Sequence, residues 1–266
     1  MTFRKPLEPG RLRLEFLGTG GSFGTPVITC PCQVCTAPQA KDLRLRSSVL
    51  LEWGSTTVVV DTGPDFRAQC LRADIRSLDA VWYTHEHADH TAGLDDLRPF
   101  SLPGHPLTIR GQQYVLELLM RRHAYAFSLL ADPNGVSKPS LVPQIITEPF
   151  LEAGQTVIPI PVKHGPFDVL GFRVGNLAYV TDVNFIPESS IELLQGLDVL
   201  VLSGLRPQPH PTHFHLDAAV EMALRLGAKR TFLTHLTHDL SHSDLAARLP
   251  AGIEAAWDGL QVEIDL

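Results

Sequence analysis

Between positions 84 and 90 the chain reads Thr84-His85-Glu86-His87-Ala88-Asp89-His90. Four good metal ligands, His85, His87, Asp89 and His90, fall within six positions. Imidazole nitrogen and carboxylate oxygen together suit zinc, manganese or iron. Two histidines two residues apart on extended backbone can reach one metal, and a tight turn then lets Asp89 and His90 face a second. A lone histidine is most often a solvated loop residue. A set this dense, directly after the apolar run Ala80 to Tyr83, asks for a metal. The run Thr91-Ala92-Gly93-Leu94 is expected to open the next helix.

A second group is Cys30-Pro31-Cys32-Gln33-Val34-Cys35, which holds three of the four cysteines. Closely spaced thiolates favour structural zinc, which takes four ligands in a tetrahedron. Cys70, His238 and His242 are the candidates for the fourth place. Such crowding fits a metal clip in a reducing compartment better than a disulfide framework.

The elements that must position these groups share one property. Thr56 to Val60 ends at Asp61, Ala80 to Tyr83 at Thr84-His85, and Val157 to Val162 at Lys163-His164. Leu177 to Val180 ends at Thr181-Asp182, Val199 to Leu202 at Ser203-Gly204, and Thr231 to Leu233 at Thr234-His235. Each is an apolar strand candidate, and layered α/β folds gather ligands at the carboxyl ends of strands. Helices are expected at Gln113 to Phe127, from Pro187 to about Leu194, and at Asp217 to Leu226, where Gly227 is a natural stop. Strands and helices alternate after a β-rich first sixty residues, which favours helices packed outside sheets. Residues 131 to 150 hold four prolines and read as an irregular excursion, a lid or a surface connection. No linker or internal repeat divides the chain, so 1–266 is read as one domain.

The chain has 266 residues, 44% of them hydrophobic, enough for a buried core. A net charge of −7 gives no basic footprint, so nucleic acid is not an expected partner. No apolar run follows Met-Thr-Phe-Arg-Lys-Pro, and no stretch is long enough to span a bilayer, so a cytoplasmic protein without a membrane partner is expected.

The segment from His85 to His90 resembles the His-x-His-x-Asp-His signature of the metallo-β-lactamase superfamily. The resemblance runs from about residue 14 to 258. It implies an α/β fold, a single-domain αββα sandwich with its site at one edge, and a hydrolase. It also implies two divalent cations, Mn2+, Zn2+ or Fe2+. His85, His87 and His164 would hold one, Asp89, His90 and His235 the other, and Asp182 would bridge them. Asp61 would orient a ligand histidine from behind. Such a pair can share a hydroxide and clamp the oxygens of an in-line displacement. The cysteine cluster after a Leu-Gly-Thr-Gly-Gly opening is similar to the PhnP-like phosphodiesterase branch, and to the pyrroloquinoline quinone biosynthesis branch. There the clip's fourth ligand lies three residues after the last catalytic histidine, which points to His238 with Cys30, Cys32 and Cys35 around one Zn2+.

The same resemblance names His213 and Asp89 as catalytic candidates. His215 competes with His213, and either could instead be a neighbour of a helix cap. The implied function is hydrolysis of a small phosphorylated molecule, such as a cyclic ribose phosphate or another phosphodiester. Arg98, Lys163 and Arg206 lie near the motifs and are candidates to meet a phosphate, or are solvated charges. The alternatives are a thioester, ester or lactone hydrolase on the same metals, and a non-catalytic cofactor-biosynthesis carrier. The sequence leaves a homodimer open.

Overall fold

The computed structural model describes residues 6–101, 105–128 and 138–266. The strands are β1 Arg11–Gly18, β2 Ser48–Trp53, β3 Thr56–Val60, β4 Ala80–Trp82, β5 Leu107–Gly111, β6 Leu141–Ile145 and β7 Phe150–Glu152. They continue with β8 Gln155–His164, β9 Phe167–Val174, β10 Leu177–Val180, β11 Val199–Ser203, β12 Arg230–Thr234, β13 Ile253–Ala255 and β14 Gln261–Asp265. Two seven-stranded sheets result, in the orders β14-β1-β2-β3-β4-β5-β6 and β13-β12-β11-β10-β9-β8-β7.

Both sheets are antiparallel on one side and parallel on the other. β3, β4, β5 and β6 run parallel, as do β10, β11, β12 and β13. Central parallel strands are covered on both faces and should be apolar throughout. β11, Val-Leu-Val-Leu-Ser, is buried along its whole length. The edge strand β14 alternates exposed and buried residues instead.

Three apolar layers follow. The middle one lies between the sheets, where Phe16 meets Phe232 at 5.8 Å and Trp82 meets Phe172 at 5.3 Å between ring centroids. The outer two lie under the helices. Phe66–Arg72 and Gln113–Arg122 cover the first sheet, and Glu188–Leu193 and Leu216–Leu226 cover the second. This is the αββα sandwich. Trp82 is fully buried in its centre. Trp82→Ala should cost about 3–5 kcal/mol, read as a lower urea midpoint at unchanged slope; a loss below 1 kcal/mol would show that the sheets can close over the gap.

Three expectations need correction. The helix expected over Gln113 to Phe127 breaks at His123, whose φ of −127° and ψ of 43° are not helical, into Gln113–Arg122 and Ala124–Phe127. The helix expected to open at Thr91 begins earlier, as the single turn Ala88–Thr91, followed by a 3-10 helix at Leu94–Phe100. The excursion expected over 131 to 150 contains strand β6, paired parallel with β5. β6 carries Pro143, which demotes a run when read from sequence. Proline is tolerated on an edge strand, where one side makes no ladder bonds. The lid reading falls partly on residues 131–137, which lie outside the described residues. No helix among the described residues is long and apolar enough to cross a membrane.

Candidate metal centre

β3, β4, β8, β10 and β12 end at Asp61, Thr84-His85, His164, Thr181-Asp182 and His235, and these ends meet at one edge of the sandwich. Three of the residues leave their strands in a left-handed backbone, with φ of 65° at Asp61, 51° at Asp182 and 57° at His235. Non-glycine residues pay for this conformation, and it persists where the surroundings fix it. Here it turns each side chain sharply off the strand end. The metal loop also needs glycine at a close approach. A Cβ on Gly63 would stand 2.1 Å from the Asp89 carbonyl oxygen.

The ligand atoms of His85, His87 and His164 lie within 4.8 Å of one another, as do those of Asp89, His90 and His235. Asp182 stands between the two sets. Its Oδ2 is 3.1 Å from His90 Nε2, and its Oδ1 is 3.2 Å from His235 Nε2. His85, His90 and Asp182 form a third such triple, and His164, Asp182 and His213 a fourth. The seven residues named from the motif therefore converge.

The ring nitrogens facing away from the centre are held. His90 Nδ1 donates to Asp61 Oδ2 at 2.7 Å, and His164 Nδ1 donates to the Thr212 carbonyl at 2.7 Å. Thr84 Oγ1 donates to Asp61 Oδ2 at 2.8 Å and lies 2.9 Å from His85 Nδ1. The Thr84 amide also donates to Asp61 Oδ1, at 2.9 Å. Asp61 thus orients His90 directly and His85 through Thr84. These bonds fix the tautomers and leave each Nε2 for the centre.

Burial alone would push the His90 imidazole down. Asp182, Asp89 and Asp61 outweigh it and hold His90 well above the ordinary histidine value. Burial likewise opposes ionisation of Asp182, but His235 and His90 hold it well below the usual carboxylate range. His85 is pushed well below its usual value by burial and then by His90. His85 Nε2 and His235 Nε2 are buried without a hydrogen-bond partner. Orphaned imidazole nitrogens among ionised carboxylates are what divalent cations would satisfy, so the donor set fits two of them.

These shifts fix a pH window for metal-free protein. Asp182 is depressed, so its stabilisation is present above about pH 4 and lost as pH falls through its folded value. His90 is raised, so its stabilisation is present below about pH 6.5 and lost as pH rises through its folded value. His85, His164 and His213 are depressed chiefly by burial, so folding is opposed as pH falls below about 6.5 and the unfolded chain takes up their protons. Chelator-treated protein should therefore be most stable near about pH 6.5, and thermal melts across pH 3 to 9 check this. A stability maximum above pH 8 would contradict the arrangement.

The cysteines form a separate cluster. The ligand atoms of Cys30, Cys32, Cys35 and His238 lie within 4.8 Å of one another. His238 Nδ1 is 3.4 Å from Cys30 Sγ and 3.3 Å from Cys32 Sγ. Hydrogen bonding to His238 holds the Cys32 thiol down to about 6, whereas burial pushes Cys35 up to about 11. Cys70 instead sits in the core under the first sheet's helices, and the His242 ring packs edge-on against Trp257.

His213 is buried beside the centre, with Nδ1 3.6 Å from Asp182 Oδ1 and its ring 4.5 Å from that of His164. A Cβ on Gly165 would stand 2.7 Å from Thr212 Cγ2, so glycine lets the 210–213 loop close onto the His164 turn. His215 belongs to none of these triples; it precedes the helix Leu216–Leu226 and makes no side-chain cap bond. Arg98 pairs with Asp95 at 2.7 Å and Lys163 with Asp168 at 2.6 Å. Arg206 lines a cavity of about 280 Å³ with His210 and His213. A larger cavity, about 340 Å³, lies against Arg67, Cys70 and Phe100, and none of the clustered donors lines it.

Thr84, Thr181 and Thr212 were not singled out from sequence. Thr181 Oγ1 donates to Asp182 Oδ2 at 2.9 Å. A signal existed, because threonine directly precedes His85, Asp182 and His235 at three strand ends.

The family model for the beta-lactamase superfamily domain matches residues 56–236. A solved structure described as a new diphosphatase from the PhnP family is 41% identical. The match covers 96% of this chain and 98% of that one, with a TM-score of 0.90. The octanoyltransferase of Porphyromonas gingivalis is 36% identical over 257 residues, 96% of this chain, and the chain spans about half, 52%, of that relative's length. Zn2+-bound PqqB from Methylobacterium extorquens shares the fold at a TM-score of 0.76 and 19% identity, covering 95% of this chain and all of that one. From its strand-end donors to its full-length match, the chain belongs to the metallo-β-lactamase superfamily of hydrolases and, within it, to the PhnP family.

Proposed function

We propose that the protein is a dinuclear metal-dependent hydrolase of phosphodiester or diphosphate bonds in a small phosphorylated molecule. The observation that carries this reading is the shared position of Asp182. It joins two three-residue donor sets and stands beside His213, which opens onto the cavity holding Arg206 and His210. The full-length likeness to a PhnP-family diphosphatase supports it. His85, His87 and His164 would hold one cation, Asp89, His90 and His235 the other, with Asp182 between. Cys30, Cys32, Cys35 and His238 would hold a structural zinc.

Two such cations would supply Lewis-acid charge and a nucleophile at neutral pH. The protein's own groups do the rest. Asp89 is kept ionised chiefly by His90, which outweighs the opposing effect of burial, so it serves as a ligand or hydrogen-bond acceptor and has no proton to donate. His213 is pushed down to about 3 by burial and then by His235, so at neutral pH it is an uncharged imidazole. It therefore serves as a neutral N–H donor to a phosphoryl or leaving oxygen rather than as an imidazolium acid. Nδ1 lies 3.6 Å from Asp182 Oδ1 and makes no hydrogen bond, so no bond holds the ring's single proton there, and the donor role needs the tautomer with that proton on Nε2, toward substrate.

The test is hydrolysis of bis-p-nitrophenyl phosphate and of a diphosphate ester by protein loaded with Mn2+ or Zn2+. His213→Ala should lower kcat by about 10²–10³, as loss of one positioned donor does, with metal content unchanged by elemental analysis. His213→Gln, which keeps an N–H donor, should recover part of the rate. A loss of metal in His213→Ala would make His213 a ligand instead. The name of the P. gingivalis relative refers to acyl transfer, which favours one second reading, hydrolysis of an acyl ester or thioester on the same donors. Turnover of an acyl thioester with none of either phosphoester would decide for it.

A further inference from the structure

The cavity beside His213 ends, on its outer side, at the turn formed by residues 21 to 24. That turn carries Phe23, whose side chain is 76% exposed. A single exposed phenylalanine is ordinary on a protein surface. This one differs in how firmly it is placed. The Gly21 amide donates to the Leu236 carbonyl at 3.1 Å, and the Gly24 amide donates to the Gly21 carbonyl at 2.8 Å. Gly24 supplies the left-handed corner, with φ of 65°. Thr25 and Arg44 then exchange backbone hydrogen bonds at 2.8 and 2.9 Å. Arg46 Nε donates to the Ser22 carbonyl at 3.2 Å, and the Val27 amide donates to Cys35 Sγ at 3.3 Å. The turn is clamped on both sides, and the cysteine clip anchors its far end. Phe23 is therefore presented at the cavity by a fixed backbone.

A second observation concerns Arg206, which lines the same cavity. Its Nε is buried without a hydrogen-bond partner, and its Nη2 reaches only the Pro209 carbonyl, at 3.5 Å. The Nε proton faces protein and not the cavity, so what the guanidinium offers a ligand is its Nη2 end, whose one bond is long and is readily replaced by a polar atom of a ligand. An aromatic face on one wall and a few directed polar donors on another are the make-up of a small-molecule site.

We propose that Phe23 and Arg206 form a specificity subsite for the non-reacting arm of the substrate, selecting phosphate esters whose arm carries a planar ring. Phe23 covers the face of the ring, and Arg206 donates to a polar atom of the arm. The clip and the subsite are then one structural unit, since the loop from Gly21 to Cys30 serves both. The proposal rests on the phosphoester reading above, and the two are tested separately.

The experiment is calorimetric titration of zinc-loaded protein with phenyl phosphate and with methyl phosphate, which differ by the ring. Wild type should bind phenyl phosphate about tenfold more tightly, the preference that one aromatic contact supports. Phe23→Ala should bring the two affinities within about twofold of each other, with metal content unchanged. Phe23→Trp should keep the preference. Equal affinities in wild type, or an undiminished ratio in Phe23→Ala, would overturn the subsite. Hydrolysis of bis-p-nitrophenyl phosphate without any ring preference overturns the subsite alone. A ring preference without turnover of any phosphoester overturns the proposed function and leaves the subsite standing.

Discussion

Asp182→Ala should purify as a folded protein that no longer holds two metals in its centre and has lost its hydrolase activity. Asp182 lies 3.1 Å from His90 and 3.2 Å from His235 in one donor set, and its ligand atom lies within 4.8 Å of those of His85 and of His164 in the other. Its carboxylate is the one charge common to both, so removing it weakens both at once. Loss of an outer partner such as Asp61 typically costs 10–100-fold in metal affinity or activity; loss of this shared ligand should exceed about 100-fold. A binding measurement gives a second readout. Metal that binds only folded protein stabilises it by about 4 kcal/mol at a thousand times its Kd. Added zinc should therefore raise the melting temperature of chelator-treated wild type far more than that of the variant. Equal shifts in the two would mean that Asp182 is not a ligand.

The second large effect concerns the clip. Cys32→Ser should lower the metal content by about one zinc per chain, from about three to about two, while leaving the active-site metals in place. Cys32 and His238 are 206 positions apart, so a zinc between them closes a very long loop. Cross-links of that reach are worth about 2–5 kcal/mol, which in a chain of this size lowers Tm by about 4–20 °C. The metal-free clip also predicts a sign. Cys32 is held down to about 6, but Cys35 is pushed up to about 11 and must lose its proton to bind zinc. Zinc binding at neutral pH should release protons, and affinity should rise with pH. Calorimetry in two buffers of different ionisation heat measures this. Unchanged metal content in Cys32→Ser would remove the structural zinc altogether.

The sequence by itself determined the parts of this protein that repeat a simple rule. Apolar runs ending in His85, His164, Asp182 and His235 announced both the strands and the edge where they would meet. Side chains at strand ends in a layered fold have few other places to go. The density of donors from His85 to His90 then marked this loop as the metal candidate, and the fold packs those donors together.

What the sequence left open were choices among residues distant along the chain. By residue type and spacing His238, Cys70 and His242 are equivalent candidates, and before the chain folds only the family resemblance points to His238. The strand β12 then delivers His238 to the cysteines, while Cys70 is taken into the core. His213 and His215 are two residues apart in one stretch. Only the 2.7 Å bond from His164 to the Thr212 carbonyl, allowed by the missing side chain of Gly165, turns His213 toward Asp182.

The helix break at His123 and the edge strand through Pro143 were illegible for a related reason. Local propensity argued for one long helix and against that strand, and packing and edge position overrode it. Periodicity fixes which residues lie at a strand end. Which of two neighbouring side chains faces a distant partner depends on backbone turns and close approaches that exist only once the two sheets are packed together.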